Sequence, residues 1–275
     1  MPTATTAPPI SSVIAPPLVV SKIGGGAFSN KETGDMLKVQ VFARVARETP
    51  LGAKVIYVLG AGWDGHNYAK VNGLELKSST LTPEVLRGRE VLWTKLSNML
   101  HREVVEPFIC AMEEAGHKVM QLSTGAFFER REGVLQVNSS LIAGALKRGI
   151  IPVLNGDGIL DSETSHSILS GDTITVELAN AFKPGTVRAV FFTGVNGILD
   201  KTGDVIPRLS FDQLLSVNAK KPSKKVQDVT GGMKGKIEEL LNLRRGVPVT
   251  IASGRIDGNI SKALAGQRVG TLVTG

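Results

Sequence analysis

The chain has 275 residues, long enough to bury one large core or two closely joined lobes, with 42% apolar and 21% charged residues. Lysine and arginine exceed aspartate and glutamate by 32 − 25 = 7, a balance that leaves small anions open as ligands. Scattered basic residues and only 5% aromatics argue against nucleic acid, and no apolar run approaches the ~20 residues of a membrane helix.

Residues 1–17 are rich in Pro, Ser, Thr and Ala and lack the basic start of a secretory signal, so a flexible extension is expected there. Leu18–Val20 begins the first apolar strand, followed by KIGGGAFSNK (22–31). That stretch reads either as an ordinary turn or as a phosphate cradle, in which glycine amides and flanking ammonium groups hold an anion. A helical pattern over Met36–Glu48 leads to strand 54–60 and the glycine-rich GAGWDGH (60–66). Thr82 then stands as an N-cap before Pro83, opening a helical region over 83–115. Cys110 lies in that region as the only cysteine, which excludes an intrachain disulfide and a thiolate metal cluster; a buried structural thiol and a reducing, cytoplasmic setting are expected.

Strand 117–123, helix Asn138–Arg148 and strand 149–156 follow, the last running into the glycine turn 156–158. Ser170-Gly171-Asp172 precedes a helix over Thr173–Ala181, and strand 187–194 ends in Gly194–Gly197. DVTGGMKGK (228–236) precedes a helix over Lys234–Arg245, and strand 247–253 closes the series. Continuous rather than alternating hydrophobicity marks strands covered on both faces, so the order predicts an α/β fold around a mainly parallel sheet. Ligands in such sheets bind beyond the carboxyl ends of the strands, where most of these glycine turns fall.

In DVTGGMKGK the paired glycines let backbone N–H groups approach an anion at a helix start, and Lys236 lies within reach of it. A glycine-rich helix entrance with solvated lysines is the bland alternative. His66, closing the second glycine loop, is by residue type more often a structural histidine than a ligand-binding one. His101, His117 and His166 match no site pattern and are expected to be structural.

Taken together, KIGGGAFSNK, GAGWDGH, IPVLNGDG, ILSGDTITVELA, FFTGVNGILD, DVTGGMKGK and GNISKALAGQRVGTLVTG resemble the amino acid kinase superfamily. Within it the chain is similar to the branch holding isopentenyl phosphate kinases and fosfomycin kinases, from Leu18 to Gly275. The resemblance implies a three-layer αβα sandwich, usually dimeric, that transfers the γ-phosphoryl group of ATP with Mg²⁺ held largely by phosphate oxygens and water. It implies one kinase domain over 18–275, with an acceptor lobe to about residue 165 and a nucleotide lobe beyond it. Lys22, Lys31 and Lys236 match the family's phosphate-binding lysines, and Asp172 the acid that orients them. Gly25, Gly26, Gly62, His66, Gly156 and Ser170 match acceptor-side positions. Lys22, Gly24, Gly25, Thr193, Gly194, Gly197, Thr230, Gly231, Gly232 and Lys236 match nucleotide-side positions. No protein metal ligand is implied.

In this branch a histidine at the position of His66 contacts the acceptor's phosphate or phosphonate. An acceptor oxyanion is already a nucleophile and needs hydrogen-bond donors rather than a base. The chain departs from the pattern twice. Trp63-Asp64 replaces the usual Ser-Phe, and Thr193-Gly194-Val195-Asn196-Gly197 lacks both carboxylates of the usual Thr-Asp-Val-Asp-Gly. The altered acceptor loop and Phe28-Ser29-Asn30-Lys31 tilt the expectation toward fosfomycin as acceptor, with isopentenyl phosphate as the alternative. A non-catalytic nucleotide- or oxyanion-binding role is the reading from another class.

Overall fold

Strand β1 (Leu18–Ile23) sets the centre of the molecule. In the computed structural model, which describes residues 17–29, 38–74, 82–162, 165–200, 202–214 and 232–275, it pairs in parallel with β2 (Val55–Leu59) on one side and β9 (Val187–Thr193) on the other. β2 continues to β6 (Ile151–Asn155) and then β3 (Val119–Gln121), again parallel. β9 continues to β11 (Val249–Ser253), β12 (Thr271–Thr274) and β10 (Arg208–Ser210), with only β11–β12 antiparallel. The sheet is mainly parallel, as the sequence predicts; β10 and β12 extend it beyond the six predicted strands.

Both faces of this sheet are covered, which is why its strands read as unbroken apolar runs. Val19 and Ile23 of β1 and Val55, Tyr57 and Leu59 of β2 face one core with helices α2 (Lys38–Glu48), α4 (Pro83–Leu100), α5 (Glu106–Glu114) and α11 (Asn259–Leu264). Val20, Ile56 and Val58 face the other with α7 (Ser139–Lys147), α8 (Gly171–Asn180) and α10 (Gly232–Leu240). The result is a three-layer αβα sandwich. Among the described residues no helix is long and apolar enough to cross a membrane.

Helices begin where cap chemistry allows. The Thr82 hydroxyl accepts from the Val85 amide ahead of α4, and the Ser170 hydroxyl accepts from the Thr173 amide ahead of α8. The 83–115 helical region is interrupted by a π-helical turn at His101–Val105. Pro107 has no N–H for the Glu103 carbonyl, and the Lys38 ammonium donates to that carbonyl at 2.6 Å instead.

Two expectations are corrected, and one sheet is added to them. GAGWDGH is not a long turn, because helix α3 (Gly62–Val71) starts within it. Cys110 is exposed rather than buried: Phe108 and Met112, four residues apart, take the inward face of α5, and Cys110 lies between them on the outer side. A four-stranded sheet, in the order β5 (Val134–Val137), β4 (Phe128–Arg131), β7 (Asp157–Asp161), β8 (Ser165–Leu169), went unpredicted. Of the three histidines expected to be structural, buried His117 shares a hydrogen bond of 2.9 Å with the Ala46 carbonyl, and His166 stacks on Trp93.

Candidate active site

The chain leaves β1 toward β2 in one direction across the sheet and later returns through β9 on the opposite side. The carboxyl ends of β1 and β9 therefore flank a topological switch point, where an open α/β sheet forms its ligand crevice. Lys22, one residue from the end of β1, is buried and points toward α8 and α10. Its ammonium meets one carboxylate oxygen of Asp172 at 2.5 Å, while the Lys236 ammonium donates to the other. Asp172 sits in the first turn of α8, where the helix dipole favours a negative charge. Lys236 comes from the second turn of α10, its Nζ 4.9 Å from the centre of the Phe191 ring.

Two ammonium groups thus share one carboxylate in a site largely closed to water. Burial is the main force on Lys22 and lowers its pKa to about 8; the attraction of Asp172 opposes this and repulsion from Lys236 adds to it. Burial pushes the Asp172 carboxyl up, but the combined pull of Lys22 and Lys236 outweighs it and holds the group well below the usual carboxylate range. Glu239, which accepts a 3.0 Å hydrogen bond from the Thr173 hydroxyl, exerts a weaker pull on Lys22. Beyond Asp172, the pair of lysines can meet an incoming anion, and the buried setting strengthens that attraction.

The loops around this cluster approach at backbone distance. Gly24 is the N-cap of α1 (Gly25–Phe28), and a Cβ on Gly25 would lie 2.8 Å from the Gly62 Cα at the start of α3. Asp64 in the first turn of α3 and His66 just after it are both half-buried, and Trp63 is exposed. Gly156, at the end of β6, lies against the first residue of α8: its Cβ would stand 3.0 Å from the Gly171 amide. Gly156 and Ser170 are therefore brought to the turn that carries Asp172. Lys31, Thr230 and Gly231 lie outside the described residues, and Gly232 is the first residue of α10.

On the other side of the switch point, the Thr193 hydroxyl bonds within its own turn, donating to the Val195 carbonyl and accepting from the Val195 amide. Gly197 is packed against β12, where a Cβ would meet the Thr271 hydroxyl at 2.6 Å. The missing strand-end carboxylates have structural counterparts. Asn196 Oδ1 accepts from the Ser253 amide at 3.3 Å and the Asn259 side-chain amide at 2.9 Å, bracing the loop after β11. At Gly194 there is no room for a side chain, since a Cβ would come 2.5 Å from the Gly26 carbonyl oxygen.

Sequence reasoning passed over two groups at this edge. Arg255, just after β11, donates from Nε to Ala27 O at 3.0 Å and from Nη2 to Gly26 O and Ser29 O at 2.8 and 3.0 Å. Its only signal is a lone arginine after a glycine at a strand's carboxyl end. Asp157, at the start of β7, accepts from the Ser97 hydroxyl of α4 at 2.5 Å and from the Gly158 amide at 2.8 Å, and burial pushes its carboxyl up.

Among the described residues, no group of three or more His, Cys, Asp or Glu side chains could hold a metal ion, and Asp172 is engaged by two lysines. A divalent cation at this site would be carried by substrate phosphates and water.

The model of the "Amino acid kinase family" matches residues 17–253. An isopentenyl phosphate kinase of Methanothermobacter thermautotrophicus is 29% identical over 94% of this chain and 99% of its own length. One from Haloferax volcanii is likewise 29% identical, over 94% and 99%. An acetylglutamate kinase of Campylobacter curvus is 25% identical over 94% of this chain and 92% of its own. Among solved structures, one titled "X-ray structures of isopentenyl phosphate kinase" superposes with a TM-score of 0.75 at 24% identity, covering 93% of this chain and 99% of that one, which shows the shared fold. The chain belongs to the amino acid kinase family, and its activity is that of an ATP-dependent phosphotransferase.

Proposed function

We propose that the chain transfers the γ-phosphoryl group of ATP to a phosphate oxygen of isopentenyl phosphate, yielding isopentenyl diphosphate. The observation that carries the transfer is the Lys22–Asp172–Lys236 cluster at the switch point. The choice of acceptor rests on isopentenyl phosphate kinases from several organisms that align along nearly the whole chain. That evidence favours the alternative over fosfomycin, toward which the loop sequences lean.

Phosphoryl transfer asks for two anions held together and for neutralisation of the charge that spreads over the moving group. Lys22 and Lys236, with Lys31, meet that charge, and Asp172 holds the first two in place. The amides of Gly24–Gly26 approach the phosphates, and His66 donates a hydrogen bond to the acceptor's own phosphate, with Gly62, Gly156 and Ser170 completing that side. Thr193, Gly194, Gly197 and Thr230–Gly232 border the nucleotide. Mg²⁺ would supply further charge neutralisation on the phosphates of ATP. The acceptor lobe then lies within about 18–165 and the nucleotide lobe within about 166–275, and the active species is a homodimer.

An acceptor with a five-carbon tail needs apolar lining, and Trp93, Leu96 and Leu100 of α4 face the core beside this edge. Fosfomycin needs no such lining and remains the second reading, on the strength of Phe28-Ser29 in the β1 loop. An ADP-release assay run with each acceptor separates the two. Turnover with isopentenyl phosphate supports the proposal; turnover with fosfomycin alone overturns it; ATP binding without turnover on either would leave a non-catalytic member.

A further inference from the structure

We infer that Arg255 is a positioning residue for phosphoryl transfer, a guanidinium clasp that fixes the glycine loop after β1. The inference rests on the kinase reading above and adds to it a residue that never touches substrate.

Helix α1 has four residues, far fewer than the ~12 an isolated helix needs to be even marginally stable. Its position must be imposed from outside. Gly25 O is used locally, accepting from the Ser29 amide at 2.9 Å and the Ser29 hydroxyl at 2.8 Å. The carbonyls of Gly26, Ala27 and Ser29 all accept from Arg255. One planar fork of fixed geometry thus sets three acceptors, the carbonyls of Gly26, Ala27 and Ser29, at the end of the loop, which a flexible lysine ammonium cannot do.

The clasp is itself held. Asn259 Nδ2 donates to Ser253 O at 3.0 Å, and the Arg255 amide donates to the Ser253 hydroxyl at 3.2 Å. Arg44 of α2 reaches Asp257 at 2.5 Å and Gly254 O at 3.3 Å, while the Glu48 carboxylate accepts from the amides of Gly258, Ile260 and Ser261. The fit leaves no slack on the far side. A Cβ on Gly194 would stand 3.6 Å from the Arg255 guanidinium carbon as well as against Gly26 O, and one on Gly254 would stand 3.2 Å from the Ala27 Cβ. The glycine in place of a strand-end carboxylate is therefore what lets the clasp close.

The test compares the full-length wild type with Arg255→Ala and Arg255→Lys. Hydrogen exchange of the Gly24–Ser29 amides should quicken in both variants while the rest of β1 and β9 stays protected. With ATP and isopentenyl phosphate, kcat should fall roughly ten- to a hundred-fold, as expected when reacting groups are misplaced by about an ångström. The acceptor KM should change less, and the unfolding midpoint should stay close to wild type. Millimolar guanidinium should restore part of the Arg255→Ala rate and none of the Arg255→Lys rate, because the lysine stem fills the slot. Unchanged exchange in the loop, or kcat within about twofold of wild type in both variants, would overturn the inference. Should the wild type itself transfer no phosphoryl group to either acceptor, the kinase reading fails on its own, and the exchange measurement still decides whether the clasp holds the loop.

Discussion

Two regions flank the end of β1 and are built from different materials. On the α8–α10 side, three charged side chains, Lys22, Asp172 and Lys236, do the work, and the nearest backbone serves to bring them together. On the α2–α11 side, one guanidinium and a series of glycines fix backbone carbonyls at close range, with Asn196, Ser253 and Asn259 as braces. In the proposed transfer the first region would change the energy of the moving phosphoryl group directly, because charge acts where charge develops. The second can act only by placing the loop. Substitutions in the two should therefore differ in kind as well as in size.

The largest effects belong to the charged region. Asp172→Asn leaves two ammonium groups facing each other without a counter-charge, and removing one partner of a buried ion cluster costs about 3 kcal/mol or more. Denaturant unfolding should record that loss together with a fall in transfer; unchanged stability would mean the lysines relax into water. Lys236→Ala should lower kcat roughly 10²-fold or more, with a smaller rise in the acceptor KM, since its charge matters most in the transition state. A near-normal kcat would assign Lys236 to structure alone.

His66→Ala should weaken acceptor binding roughly ten- to a hundred-fold, the value of a hydrogen bond to a charged group, and leave affinity for an ATP analogue unchanged. His66→Gln should recover part of it. Calorimetric titration with each ligand checks this, and equal weakening of both would place His66 in the fold rather than the site.

The gentlest test is pH. Burial lowers Lys22 to about 8, so its ammonium is present below that value and lost as pH rises through it. Turnover at low substrate should then decline above about pH 8, roughly tenfold per unit, because the neutral amine no longer offsets phosphate charge. Bound ATP favours the ammonium, so at saturation the bend should move to higher pH. A flat profile through pH 9 would remove Lys22 from the charge-neutralising set.

The same contrast explains what could be read from the sequence. Val55–Leu59 is buried at every position, so its apolar run announced a central parallel strand. Lys22 and Lys236 are marked by the glycine-rich stretches they sit in, whereas Asp172 is marked only by the resemblance to the family. Residues 128–131 and 134–137, Phe-Glu-Arg-Arg and Val-Leu-Gln-Val, pair as a short, half-exposed hairpin, and nothing in so brief a pattern marks a second sheet. Arg255 was invisible for another reason: its partners are carbonyl oxygens more than two hundred residues away, and backbone acceptors leave no trace in residue types. The Gly194 departure, a deficit when read as sequence, is a steric fit once Gly26 O is seen beside it.

The central claim is that this chain joins the γ-phosphoryl group of ATP to a phosphate oxygen of isopentenyl phosphate. Phosphorus NMR of the wild-type reaction with Mg²⁺, ATP and isopentenyl phosphate tests it most directly. The account predicts loss of the monophosphate resonance and growth of two mutually coupled signals from a new P–O–P linkage, matched by release of ADP. An unchanged isopentenyl phosphate signal, under conditions in which fosfomycin gains a coupled phosphoryl group or no acceptor reacts, would contradict it.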